Sequence, residues 1–273
     1  GLFVSSGATL QVKESNGNVR PWGDPRAKQI WKKPMVVMVD RYSASASEIF
    51  AGAIQDYQRG IVIGQKTFGK GTVQRLDNLS SGQIKITESK FYRITGAGMQ
   101  SKGILPDISL PTTWDIEQIG ESSYDTALPW DEIKPVRYKK FSMRPSLISQ
   151  LNDQHLIRAN QSPNLQYILD VRERYEIQKN KEVISLNLIN RKVEKEERQS
   201  WALGIENKRR ASLNLEIFSS YKAMEDFNDA KETQDVEKEF DIDLDNDYLL
   251  NEGTQILSDY TIYNRNSYLS KAA

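Results

Sequence analysis

The sequence predicts an α/β fold over residues 1 to about 112, followed by a mainly helical part. Three observations predict it. The first is a strand–turn–helix–strand pattern between Met35 and Ile63. The second is an apolar–polar alternation over residues 82–94, bounded by glycine and serine. The third is a set of apolar residues at helical spacing in a charged background from Pro145 onward.

Taken in order, Leu10-Gln11-Val12 reads as a strand and Asn16-Gly17-Asn18 as a turn. Residues 19–34 read as a polar connection, with Trp22 and Trp31 as packing residues. Met35 to Val39 is an apolar run that fits a strand buried on both faces. Asp40-Arg41-Tyr42-Ser43 breaks it, and Ser45, Ala46, Ser47 and Glu48 lead into a helix. Ile49, Phe50, Ala53, Ile54 and Tyr57 share one face of that helix. Gly60 stops it, and Ile61-Val62-Ile63 is a second buried strand. A small-residue turn at a strand's end, opening a helix, is a good seat for a nucleophile. The unpaired N–H groups at the helix start can face a developing negative charge.

Lys70 follows this unit between Gly69 and Gly71, a setting that lets the backbone turn tightly against another segment. A lysine acts as a general base when neutral, and burial favours the neutral form. A serine activated by a lysine is a known variant of nucleophilic catalysis.

The stretch from Ser43 to Gln74 resembles the catalytic segment of the C-terminal processing peptidases, also called tail-specific proteases. The resemblance is carried by Ser45-Ala46-Ser47-Glu48 and by Phe68-Gly69-Lys70-Gly71. It implies a crotonase-like (ClpP/crotonase) serine peptidase core, present in part. It also implies that Ser45 is the nucleophile, Lys70 the base and Gln74 the residue that orients the lysine. Ala46 would give one oxyanion N–H. In that family a glycine-rich loop supplies the second oxyanion N–H, and a PDZ domain lies further upstream. Neither has a counterpart in these residues, so the resemblance implies the second half of a larger protease, inactive or nearly so by itself.

After Gln74, two β segments are expected, Gly82 to Thr87 and Lys90 to Ile94, with Ser80-Ser81-Gly82 as a turn. Pro106-Asp107 closes the domain as a structural turn. The expected division is a catalytic half over residues 1–112, a linker over 113–140 and a helical domain over 141–273. Ala127-Leu128-Pro129-Trp130-Asp131 resembles the long, Gram-negative branch of the family, in which such a helical domain follows. Within it, residues 179–210 read as a charged helical run, Glu225 to Glu239 as a solvated acidic linker and Tyr248 to Tyr260 as a closing helix.

Composition narrows the chemistry. Cysteine is absent, which removes thiol catalysis, disulfides and thiolate metal sites. His155 is the one histidine and sits in an ordinary polar helical pattern, so histidine-based catalysis is not expected. No stretch of about 18 apolar residues exists to span a membrane. Residues 1–112 hold 15 Lys/Arg against 8 Asp/Glu, and residues 113–273 hold 22 against 29, so the two parts carry +7 and −7. No basic run interleaved with aromatics was found, so no nucleic acid is expected.

Two further patterns are rejected. Ser219-Ser220-Tyr221-Lys222 matches the Ser-x-x-Lys of penicillin-binding enzymes but lacks its companion motifs. Asp241 to Glu252 approaches a calcium loop, but Asn246 stands where glycine is needed. No metal or cofactor is expected. The resemblance implies periplasmic cleavage of polypeptides with apolar, unstructured C-termini, with a lipoprotein adaptor as a further partner. A catalytically silent scaffold that docks a partner is the alternative.

Overall fold

The computed structural model describes residues 1–24, 28–115, 117–237 and 247–272, and the side chains of all these except 232–237 and 265–272. The strands are β1 (Ala8–Glu14), β2 (Val19–Gly23), β3 (Val36–Val39), β4 (Ile61–Gly64), β5 (Thr72–Asn78), β6 (Gln83–Tyr92) and β7 (Ile108–Ser109). The helices are α1 (Ala46–Asp56), α2 (Leu147–Gln161), α3 (Pro163–Lys179), α4 (Leu188–Ser212), α5 (Tyr221–Glu237) and α6 (Tyr248–Ala272). The chain divides into two compact units. The first is Gly1–Leu110, Asp115–Gln154 and Gly253–Ala273, and the second is Pro111–Trp114 and His155–Glu252.

The first unit holds two sheets. The parallel sheet has the order β3-β4-β7, and the β3–α1–β4 segment is the expected strand–helix–strand unit, registered from Val36 against Ile61 to Val39 against Gly64. β4 is buried along its whole length. β3 is not buried on both faces as its apolar run suggested. It lies at the edge of this sheet, and Met38 is 40% exposed. Helix α1 buries Ala51, Gly52, Ala53, Ile54 and Tyr57 but leaves Phe50 exposed. The expected face is shifted because Glu48 and Asp56, both charged, also point inward.

The antiparallel sheet has the order β2-β1-β6-β5. β2 falls inside the expected connection. Its sequence, Val-Arg-Pro-Trp-Gly, lacks alternation and contains a proline, which an edge strand tolerates. Every β2 residue is exposed, Trp22 included, and Trp31 is exposed too, so neither tryptophan is a core residue. β6 runs unbroken where two segments were expected, and the turn before it closes with Leu79 N–H on the Gly82 carbonyl at 3.0 Å.

Residues 115–140, expected as a linker, are fastened to the first unit instead. Asp131 accepts from Lys90 at 2.6 Å and from the Tyr92 hydroxyl at 2.9 Å. Ile133 N–H donates to Gly96, Val136 N–H to Ile94 and Phe141 N–H to Tyr57. Asp107 is structural, as expected. Its carboxylate accepts from Val62 N–H and from Gln55, both at 2.8 Å.

In the second unit, Ala159, Leu165 and Ile168 are buried together with Tyr248 and Leu249 beside them. Ser162 caps α3 ahead of Pro163. Residues 180–187 interrupt the expected helical run, and Val183, Ile184 and Leu186 there are exposed. The acidic stretch from Glu225 is helical, not a linker, through Glu237. Ser220 accepts from Ala223 N–H, and Lys222 pairs with Asp226 at 3.0 Å. The lysine of the Ser219-x-x-Lys222 pattern is thereby used as a helix support, and the serine that accepts at the helix start is its neighbour Ser220. Residues 238–246, which include the first half of the calcium-like loop, lie outside the described residues. No helix among the described residues is long and apolar enough to cross a membrane.

His155 is buried against Glu252, with Nδ1 2.9 Å from Oε1, and Arg158 donates to the same carboxylate at 2.8 and 3.0 Å. Burial alone would raise the Glu252 pKa. The hydrogen bonds from His155 and Arg158 outweigh it and hold the carboxyl below its ordinary range. A depressed carboxyl stabilises the fold above its ordinary value of about 4.5 and loses that contribution as pH falls through the depressed value. Glu252→Gln should therefore cost on the order of 2 kcal/mol at pH 7, and the gap between variant and parent should close toward pH 3. Thermal melts at both pH values check this, and an equal gap at both would contradict it.

Candidate active site

The turn between β3 and α1 is built by Asp40. Its Oδ1 accepts from Tyr42 N–H at 3.0 Å, Ser43 N–H at 2.8 Å and Ser43 Oγ at 2.9 Å. The chain then enters α1 through Ser45, whose φ of 57° and ψ of −114° lie where few non-glycine residues go. Such a conformation costs about 1–3 kcal/mol and persists only where surrounding contacts impose it. Ser45 is half-buried, and Ala46, the first helical residue, is exposed.

Glu48 imposes it. This side chain is fully buried, and its two oxygens accept four hydrogen bonds. Oε2 takes Ser45 N–H at 2.8 Å and Lys70 N–H at 2.9 Å. Oε1 takes Thr67 Oγ1 at 2.5 Å and Gly69 N–H at 2.7 Å. One carboxylate thus ties the serine turn to the lysine loop. Desolvation pushes the Glu48 pKa up, and the four donors oppose that shift. Arg41 is buried nearby and donates to the Thr67 carbonyl. Burial pushes its pKa down, and the Glu48 charge partly offsets the shift.

The lysine loop is held from its other side by Gln100 and Ser101. Gln100 is buried, accepts from Gly71 N–H at 2.9 Å and donates to Glu121 at 3.0 Å. Ser101 N–H donates to the Gly69 carbonyl at 2.8 Å. The flanking glycines are required by this close approach. A Cβ on Gly71 would lie 2.4 Å from Gln100 N, and one on Gly69 would lie 3.0 Å from the Ser101 carbonyl carbon, with φ at 90°. Phe68 N–H also donates to the Ser43 carbonyl at 3.0 Å, a second tie between loop and turn.

The backbones of Ser45 and Lys70 therefore converge on one carboxylate. Lys70 is half-buried. Gln74 is exposed on β5, next to an irregularity in its pairing with β6. Among the described residues, no hydrogen bond joins the Lys70 ammonium to Ser45 or to Gln74. His155 belongs to the second unit. Sequence reasoning placed Glu48 only in the first turn of a helix. The Ser-x-x-Glu spacing from Ser45 to Glu48 is a capping-box signal and could have identified it. Gln100, far along the chain from Gly71, had no local signal.

At the other end of α1, Asp56 is held by Arg93, whose Nε lies 3.1 Å from both carboxylate oxygens. Desolvation pushes the Asp56 pKa up, and the Arg93 partner opposes the shift. Arg93 Nη2 also donates to Gln55 at 2.8 Å, which connects this pair to Asp107. The helix that presents Ser45 is thus fixed at both ends.

Residues 1–110 match the model of peptidase family S41, and residues 114–261 match the C-terminal domain of tail specific protease (DUF3340). A tail-specific protease of Haemophilus influenzae is 34% identical over the whole of this chain, which covers 39% of that protein. A carboxy-terminal-processing protease of Bartonella bacilliformis is 45% identical over 28% of this chain and 18% of its own. Among solved structures, the photosystem II D1 C-terminal processing protease is 34% identical over 40% of this chain and 28% of its own, with a TM-score of 0.37. The chain spans well under half the length of these relatives. On the match to both successive segments, it belongs to the tail-specific protease family of S41 peptidases.

Proposed function

We propose that the protein is a serine endopeptidase with a Ser45–Lys70 dyad on a crotonase-like core. The observation that carries this reading is the Glu48 carboxylate, which binds the backbone N–H groups of both residues at 2.8 and 2.9 Å. Membership of a peptidase family and the strained seat of Ser45 support it. In this mechanism Ser45 Oγ attacks a peptide carbonyl carbon and its proton passes to Lys70 Nζ. The oxyanion is stabilised by Ala46 N–H at the start of α1. The amine leaves with the proton from Lys70, and an ester remains on Ser45. Water, deprotonated by Lys70, then releases the acyl group. Gln74 orients the lysine. The reaction as written uses no metal or cofactor. The substrates are polypeptides with apolar, unstructured C-termini in the periplasm, and a lipoprotein adaptor is a candidate partner.

The missing hydrogen bond between Lys70 and Ser45 favours a second reading, a catalytically silent scaffold of the same family. Catalytic hydrogen bonds often tighten only around substrate, so the enzyme reading is preferred. The two readings differ in a direct test. In the larger protease that the resemblance implies, Ser45→Ala and Lys70→Ala should each lower cleavage of an unfolded, apolar-tailed polypeptide by about 10⁴-fold or more, with the fold retained by circular dichroism. Cleavage by either variant near the parent rate would refute the dyad.

Gly71→Ala tests the loop without touching a reacting group. Its Cβ would collide with the Gln100 backbone, so the loop must shift and carry Lys70 with it. Turnover should fall by about 10²-fold or more while KM changes little. Unchanged turnover would show that the position of Lys70 does not depend on this contact.

A further inference from the structure

Two cavities of the first unit adjoin at Phe141 and Ser142. One, of about 320 Å³, is lined in part by Lys32, Lys33, Arg59 and Arg144. The other, of about 540 Å³, is lined by Arg137, Lys139 and Lys140 beside Ser5–Gly7 and Tyr57. No Asp or Glu lines either one. Among the described residues, none of these seven cations has a carboxylate within 4.0 Å, and only Lys140 feels one at longer range, Asp56. Elsewhere in the same unit Lys13, Arg20, Arg75, Lys90 and Arg93 all do.

Arg59 makes the imbalance costly. It is 5% exposed, and its Nε and Nη2 donate only to the carbonyls of Phe3, Trp31 and Lys33. Burial pushes its pKa down. A desolvated guanidinium without a carboxylate is unfavourable, and a recess lined by one sign of charge concentrates the opposite sign.

The cations of the larger recess come from Arg137-Tyr138-Lys139-Lys140-Phe141, a basic run with aromatics that the sequence reading overlooked. Its rings are engaged inside the fold. Tyr138 packs edge-on against Tyr57 at 5.5 Å, and the Arg59 guanidinium sits over Phe141 at 5.8 Å. They are not free to stack on bases, which argues against nucleic acid. Concave recesses rather than an exposed apolar-and-basic helix face argue against a bilayer. Adjoining recesses suit successive carboxylate side chains of an extended chain, which fall about 7 Å apart on one side.

We propose that the paired recesses bind an extended, carboxylate-rich segment of polypeptide. This does not rest on the peptidase reading. The test is fluorescence anisotropy of labelled hexaglutamate and hexaglutamine with the full chain. Two double variants accompany the parent, Lys32→Gln with Lys33→Gln, and Lys139→Gln with Lys140→Gln. All four lysines are exposed, so the fold should survive, as circular dichroism will check. Hexaglutamate should bind and hexaglutamine should not. Each double variant should weaken hexaglutamate by roughly fivefold or more, and raising salt from about 50 to about 200 mM should weaken the parent. Parent-like binding by both double variants, or equal binding of hexaglutamine, would overturn the proposal. So would capture by oligothymidylate or by phosphatidylglycerol vesicles under conditions where hexaglutamate does not bind.

Discussion

A single buried carboxylate organises the first unit. Glu48 has no exposed surface and accepts four hydrogen bonds, two of them from the backbones of Ser45 and Lys70. Burying a carboxylate is expensive, and four donors are what make it tolerable. The same bonds offset the unfavourable φ of Ser45 and fix the loop on which Lys70 stands. Every other feature of the site secures one of these partners. Thr67, which donates to Glu48, also accepts from Ile104 N–H at 2.7 Å. Gln100 and Ser101 press the lysine loop from its outer side.

The surrounding fold supplies rigidity. β4 is buried throughout and carries the chain from α1 toward the lysine loop. The Asp56–Arg93 pair anchors the far end of α1, and Asp107 closes β4 against the same network through Val62 and Gln55. Residues 115–140 add to it, since Glu121 N–H donates to the Phe68 carbonyl at 2.9 Å and the Glu121 carboxylate receives Gln100. A stretch that composition alone marks as a linker therefore lies directly behind the site.

The strand–helix–strand unit and the glycine-flanked lysine were legible because their signals are local. Apolar periodicity, a small-residue turn and two glycines all lie within forty residues. What was not legible depends on distant partners. β2 is held by pairing with β1 and not by its own composition. Residues 115–140 look polar, and it is bonds to distant partners such as Lys90, Tyr92 and the carbonyls of Phe68, Ile94 and Gly96 that make them part of a unit. Glu48 has a local signal, but its importance lies in donors about twenty residues away. The acidic α5 lacks an apolar stripe, so its helicity could not be read from periodicity. The exposed apolar residues of 183–186 fall in a charged run expected to be helical yet sit in a non-helical connection.

The central claim is that Glu48 sets Ser45 up as a nucleophile by holding its backbone and that of Lys70 together. The most direct measurement is mass spectrometry of the protein after reaction with a peptidyl fluorophosphonate, on the parent and on Glu48→Gln. In the variant an amide N–H₂ faces N–H donors that the carboxylate now accepts. The account predicts a covalent adduct on Ser45 in the parent and labelling slower by about 10²-fold or more in a folded Glu48→Gln variant. Equal labelling of Ser45 in both proteins would contradict it.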